Sequence, residues 1–327
     1  MTSHVESKYD ERALSVRARS LSHLEAHPTL PRPGGGRTVE RWRHLADIAG
    51  RDVCLAKVLE AHYDAEAILA ELEGPAPKAG ELWAVWAAEP PGLALNFVPM
   101  AGEAGVLNGT KAWCSGADIV SHALITVQRD SDRELARVSM ESIGISDPPT
   151  SWEAVGMARV VSGAVEFDAV ASHLVGDTGE YLSRPGFWHG GAGIAACWFG
   201  AARSIAETLR THPKVGKDGH AAAHLGVIDM QLSAGAALLR ELACLIDAHP
   251  RLPHIHQTIR VRSMIERMAT ETTDRVGRAL GAGPLCMDHE HALRCADLTT
   301  FLRQSHAERD WEALGRGAAE DDELWKL

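Results

Sequence analysis

The change of hydrophobic period along the chain constrains its fold more than any other feature. Residues 1–78 read as helical. In "RDVCLAKVLEAHYDAEAILAELEG" the apolar positions Val53, Ala56, Leu59, Ala67, Leu69 and Leu72 fall near helical spacing and stop at Gly74-Pro75. "PTLPRPGGG" (28–36) divides this zone as a loop, and "GPAPKAG" (74–80) marks its end. Residues 79–180 change to short β-branched or aromatic runs bounded by turn formers: "ELWAVWAAEPPG", "HALITVQRDSD", "ELARVSM" and "RVVSGAVEFDAV", with Ser162-Gly163 read as a turn. Residues 181–327 return to long helical stretches, punctuated by Pro213, Gly216, Pro250, Pro253 and the Gly281–Pro284 stretch. The expected class is α+β: an N-terminal helical domain, a middle antiparallel β domain in the form of a small barrel or sandwich, and a C-terminal four-helix bundle.

Composition narrows the function classes. With 327 residues and 45% hydrophobic content, the chain can bury two or three cores. A net charge of −11 with scattered basic residues argues against nucleic acid and anionic membrane surfaces. The first twenty residues are charged, so no signal peptide is expected. The apolar run "GGAGIAACWFGAA" (190–202) is too short and too rich in Gly and Ala to span a bilayer, and reads as a close-packed helix. The six cysteines are widely spaced, without a CxxC pair, which fits a reduced cytoplasm and no disulfide framework. His220/His224, His254/His256 and His289/His291 are close pairs among 17 histidines, but none has a third ligand or HExxH spacing, so no metal site is expected.

The segment "GVLNGTKAWCSGAD" (105–118) carries the most chemistry. Asn108-Gly109 is a strong signal for a type I′ turn, and pairing of Val106-Leu107 with Thr110–Cys114 as a hairpin is expected. The strand then presents Trp113, Cys114, Ser115 and Gly116. Two readings fit: a core tryptophan on an ordinary hairpin, or an aromatic wall beside backbone donors for a planar heterocycle.

Four stretches in this order resemble the acyl-CoA dehydrogenase family of flavoproteins: "LNGTKAWCSGA" (107–117), "AAEPPG" (87–92), "GMARVVSGAVEFDAV" (156–170), and "ALGAGPL" followed by "ALRCADLTTFLRQSHAERD" (279–310). The resemblance implies FAD (or FMN) as cofactor. It implies cofactor contacts from Trp113, Cys114 and Ser115, from Ala88 and Glu89 at the strand end, and from a glycine turn at Gly281, whose alternative reading is a helix stop. It further implies a small-molecule substrate, such as an acyl-CoA thioester, and a homodimer or homotetramer.

The chain departs from the family pattern in several places. Its N-terminal zone is short for the family, Ala88 replaces a threonine, and "PGLALN" lacks the family's serine. Only Arg210 and Gly216 remain of an Arg-x-x-Phe-Gly that holds the adenosine diphosphate. Counting along the last core helix from Asp297 places Ser305 where the family carries its catalytic Glu, with Gln304 and His306 beside it. Glu207 and Glu308 are out of register. His306 is the substitute base, since a neutral imidazole accepts a proton near pH 7; the alternative is a histidine pairing with Glu308 or Asp310 on a solvated helix face. Three functions follow as expectations: an acyl-thioester dehydrogenase with an unusual base, a flavin monooxygenase or oxidase of a small molecule, and a non-catalytic scaffold.

Overall fold

A computed structural model of the chain describes residues 11–146, 152–320 and 325. It divides into two compact units. The first holds the segment ending at Leu30, Lys57–Ala154 and Ala158–Arg184; the second holds Pro31–Ala56, Val155–Met157 and the chain from Pro185 onward.

The first unit is built on a six-stranded sheet: β1 (Trp83–Trp86), β2 (Leu95–Pro99), β3 (Ala104–Lys111), β4 (His122–Arg129), β5 (Asp132–Ser139) and β6 (Val165–Leu174). Helices α1 (Glu11–Ala26), most of α3 (Val53–Glu71) and the short α4 (Glu180–Ser183) belong to the same unit. The strand order is β1-β4-β2-β3-β6-β5, and β5 pairs again with β4, so five strands close into a ring. The sheet is mixed rather than antiparallel. β1 pairs with β4 in parallel, from Trp83↔His122 to Trp86↔Ile125, and β2 meets β4 in parallel at Asn96↔Gln128. Between β1 and β4 the chain makes the β2–β3 hairpin and a long loop, enough length to return in the same direction. Leu107, Leu124, Ile125, Ala136 and Val170 are each fully buried, on one face of the sheet or the other.

Asn108-Gly109 is not a hairpin turn. Both residues lie inside β3, which pairs with β2 on one edge and with β6 on the other, and the β6 register shifts between Leu107 and Gly109. The pair stands opposite a bulge in β6, which advances three residues from Val170 to Phe167 while β3 advances two from Leu107 to Gly109; Asn108 Oδ1 accepts the N–H of the bulged Ala169 at 2.9 Å, Ala169 has φ 52°, and Gly109 has φ 123°. Two occupied edges outweigh the local turn preference, and the one extra residue between the two strands lies on β6, where it is absorbed as a bulge. The actual turn spans residues 100–103, closed by Met100 N–H to Ala104 O. Ser162-Gly163 is likewise no turn but an irregular stretch bonded to 114–116.

The second unit is helical: α2 (Thr38–Arg51), α5 (Gly186–Arg210), α6 (Gly219–Ala248), α7 (Ile255–Leu280), the short α8 (Gly283–Met287), α9 (His289–Phe301) and α10 (Glu308–Glu320). α5 packs against α2, α6, α7 and α9. Its small residues allow close approach: a Cβ on Gly200 would lie 2.0 Å from Ala46 O of α2, and Gly193 faces Trp42 and Leu45. The close-packed reading of 190–202 therefore holds. The N-terminus of α2 has no side-chain cap of its own; Asp247 of α6 accepts the Thr38 N–H at 3.0 Å and the Thr38 hydroxyl at 2.6 Å.

α9 ends at Phe301, and a 3-10 turn, Leu302–Gln304, follows. The single helix expected to run to about residue 307 is thus broken. Ser305 has extended backbone, and its Oγ accepts the Ala307 N–H at 3.2 Å. That local bond competes with the helical ladder, as serine side chains do at helix ends.

Candidate functional site

The first unit assembles one candidate surface at the end of β3. β3 stops at Lys111, and residues 112–116 leave the sheet while bonding to 161–163: Cys114 N–H to Gly163 O at 2.9 Å and Gly116 N–H to Val161 O at 2.7 Å. This sharp exit puts Trp113 at φ 58°, a left-handed conformation costly for a bulky residue. Its indole is 59% exposed, in contrast to the buried Trp83 and Trp86 of the same unit. Strain and exposure of a large aromatic together mark a position that internal packing does not require.

Ser115 is held on three sides. Its N–H donates to Trp113 O at 2.9 Å, its carbonyl accepts from Trp86 Nε1 at 3.1 Å, and its hydroxyl lies 2.9 Å from that of Ser162. Cys114 points the other way. Its thiol is fully buried, donates to Lys111 O at 3.2 Å, and is pushed by burial up to about 12, so it offers neither a thiolate nor an exposed side-chain contact.

Behind this turn lies a buried charge cluster. Alternation along β3 sends Lys111 inward, where its side chain is 3% exposed. Lys111 Nζ donates to Thr126 O and Thr126 Oγ1, both at 2.7 Å, and stands 3.7 Å from Glu89 Oε1. Glu89 in turn accepts the Thr126 hydroxyl at 2.6 Å and pairs with Arg133. Burial pulls the Lys111 ammonium down to about 8 against the opposing attraction of Glu89. Ala88, Glu89, Pro90, Leu93, Thr110 and Ala112 border a cavity of about 70 Å³ beside this cluster, so the first unit brings the 87–92 stretch and the β3 end together. That volume admits a few waters rather than a ring system. Lys111, Thr126, Arg133 and Ser162 were not among the sequence candidates; the period-2 placement of Lys111 beneath Leu107 was the signal available for one of them.

The other candidates belong to the second unit. Gly281 has φ 70° at the C-terminus of α7 and donates to Gly277 O at 2.8 Å, the geometry of a helix stop. His306 lies between the 3-10 turn and α10; its side chain is 62% exposed and its Nδ1 is 3.3 Å from Asp310 Oδ1. Glu207 is clamped by Arg210, three residues on, whose hydrogen bond holds the carboxyl below its usual range. Among the described residues no three of His, Cys, Asp and Glu converge as a metal centre.

No protein-family model and no curated protein sequence matches the chain. Solved structures do match it over nearly its whole length. FMN-bound TdsC from Paenibacillus sp. A11-2, a dibenzothiophene monooxygenase, has a TM-score of 0.75 at 18% identity, covering 95% of this chain and 96% of that one. Butyryl-CoA dehydrogenase from Megasphaera elsdenii has a TM-score of 0.77 at 14% identity, covering 96% and 91%. Glutaryl-CoA dehydrogenase from Mycobacterium smegmatis, in complex with FADH2, has a TM-score of 0.77 at 14% identity, covering 97% of each chain. At these identities the likeness speaks for architecture alone: the chain has the acyl-CoA dehydrogenase fold that these dehydrogenases and this monooxygenase share.

Proposed function

We propose that the chain is a flavin-dependent oxidoreductase. The observation that carries this reading is Trp113: a large aromatic face, exposed and held in a strained backbone conformation, next to the Ser115–Ser162 hydroxyl pair. A planar heterocycle needs a flat apolar wall with hydrogen-bond donors at its edge, and this turn supplies both. Structures of the same fold hold FMN or FADH2. A bound flavin would supply the hydride and electron transfer that protein side chains lack. In this reading Trp113 covers the ring, Ser115 donates at its edge, and Ala88 and Glu89 border it from the neighbouring strand end. The Lys111–Thr126–Glu89–Arg133 cluster keeps those two segments in register.

FMN is favoured over FAD because only Arg210 and Gly216 remain of the adenosine diphosphate clamp that the resemblance implies. Arg210 pairs with Glu207 of its own helix. The same contact weakens Glu207 as a base for thioester desaturation, because the arginine stabilises the carboxylate. The proton-transfer role then falls to His306, oriented by Asp310, with Ser305 in the turn beside it. This combination favours oxidation of a small molecule over desaturation of an acyl-CoA thioester.

The test is titration of the purified protein with FMN and with FAD, followed by visible absorption and calorimetry. Binding of FMN tighter than FAD is expected, with His306→Ala losing substrate oxidation while retaining the flavin. A protein that binds neither flavin would leave the scaffold reading.

A further inference from the structure

The Lys111 side chain ends inside the first unit, beside the cavity of about 70 Å³. A lysine that served packing alone would close that space, since an open void forfeits the contacts of its lining. Lys111, Thr126 and Gln128 line it from β3 and β4. The loop from Ala88 to Ala94 lines it on the solvent side, where Ala88, Leu93 and Ala94 are exposed, so a small molecule reaches the amine from water. Burial pulls the ammonium down to about 8, which leaves about a tenth of it neutral at pH 7; a lysine in water, with a pKa of about 10.4, is neutral there to less than about 0.1%. Lys111 is thus an amine with a free electron pair, an entry path and room for a partner.

The lining selects the electrophile. Ala88, Pro90, Leu93, Leu95 and Ala112 are apolar, and the two cations beside them, Lys111 and Arg133, are both engaged by Glu89. A neutral molecule is therefore preferred to a carboxylate or a phosphate. A water's share of liquid volume is about 30 Å³, so the space suits a chain of about three heavy atoms. Carbon dioxide would turn the ammonium into a carbamate, setting a second negative charge beside Glu89. An aldehyde gives an iminium, which keeps the positive charge that Glu89 faces.

We infer that Lys111 is a Schiff-base site for a short aliphatic aldehyde of the size of acetaldehyde, with Thr126 and Glu89 carrying the proton. The relay is already joined: Lys111 Nζ donates to Thr126 Oγ1 at 2.7 Å, and that hydroxyl donates to Glu89 Oε1 at 2.6 Å. The ammonium passes one proton through the Thr126 hydroxyl to Glu89. The freed electron pair on Nζ bonds to the carbonyl carbon, the C=O π pair goes to oxygen, and a proton moves from Nζ to that oxygen. Glu89 returns its proton to the resulting hydroxyl; the C–O bond breaks with its pair to release water, and the nitrogen pair forms C=N. Ammonium and aldehyde thus become iminium and water with no change of charge. The remaining N–H still has the Thr126 carbonyl, 2.7 Å from Nζ, as acceptor.

Brief treatment of the purified full chain with acetaldehyde and cyanoborohydride, followed by peptide mass spectrometry, tests this. Hydride reduction of each iminium leaves an ethyl group on the amine that formed it. At pH 7 Lys111 is expected to gain that group about tenfold faster than the exposed Lys78 and Lys217, which serve as internal standards. With benzaldehyde the order reverses, because the ring does not enter the cavity. Lys111→Arg keeps a positive charge beside Glu89 and removes the fast phase of labelling; should that variant fail to fold, the comparison of the two aldehydes on wild type carries the test. Lys111 labelled by acetaldehyde no faster than Lys78 and Lys217 overturns the inference, as does equal labelling of Lys111 by both aldehydes. None of these measurements involves a flavin, so this inference and the flavin reading fail separately.

Discussion

Asp297 of α9 accepts the backbone N–H of Met157 through Oδ1 at 2.6 Å, inside the second unit. The carboxylate is buried, and Cys54 Sγ lies 3.6 Å from its other oxygen. Met157 has φ 60°, and a Cβ on neighbouring Gly156 would meet Ala296 O at 2.0 Å, so the short Val155–Met157 segment lies tight against α9. Asp297→Ala leaves that N–H buried and unpaired, and a loss of about 2–3 kcal/mol is expected in chemical denaturation. Asp297→Asn retains an acceptor and should cost about half as much.

The pairing of Asn108-Gly109 between β2 and the bulged β6 predicts an asymmetric response of the two residues. Gly109→Ala places a Cβ 2.2 Å from Ala94 O at φ 123°, a clash with backbone that cannot relax cheaply. A loss of more than about 3 kcal/mol is expected. Asn108→Ala removes only the bond to Ala169 N–H and should cost about 1 kcal/mol. Equal effects in thermal unfolding would contradict this placement of the pair inside β3.

Trp113→Gly separates binding from folding. Glycine relieves a left-handed conformation worth about 1–2 kcal/mol, and little apolar packing is lost from a side chain more than half exposed. Thermal stability should hold or rise, while affinity for FMN falls roughly three- to tenfold with loss of the aromatic face. A variant that unfolds instead would identify Trp113 as a core residue.

His62 ties α3 to β1: its Nδ1 accepts the Trp83 N–H at 3.2 Å. Burial lowers its pKa from 6.5 to about 4, opposed by the attraction of Glu81. The folded state thus keeps a neutral imidazole that the unfolded chain protonates below about pH 6.5. This contribution is fully present above that pH and is lost as pH falls from about 6.5 to about 4, at up to about 1.4 kcal/mol per unit. His62→Asn keeps an acceptor and should flatten that part of the stability curve, measured by denaturation midpoints between about pH 7 and about pH 4.5.

Much of the secondary structure was legible along the chain. The runs "HALITVQRDSD" and "ELARVSM" are β4 and β5, and Pro213, Pro250, Pro253 and Gly281 interrupt the helices where the structure breaks them. β2 was missed because Leu95–Pro99 is short and ends in proline. The candidate surface was only partly legible. Trp113 and Ser115 stand together at an exposed turn, but Cys114 between them faces the interior, and the three partners of Glu89, Lys111, Thr126 and Arg133, lie on three different strands.

By itself the sequence determined the succession of helical and strand zones and most of the breaks between the long helices, because proline, glycine and hydrophobic period act over a few residues. Tertiary structure alone decided what depends on distant neighbours. Asn108-Gly109 became continuous strand rather than a turn because β2 and β6 occupy both edges of β3. β1 and β4 became parallel because of the path between them. Asp247 came to cap a helix some two hundred residues away. Lys111 kept its charge inside the sheet because Thr126 and Glu89 are there to receive it. A lone residue carries no record of such partners, since the energy that selects them arises only when remote segments share a desolvated space.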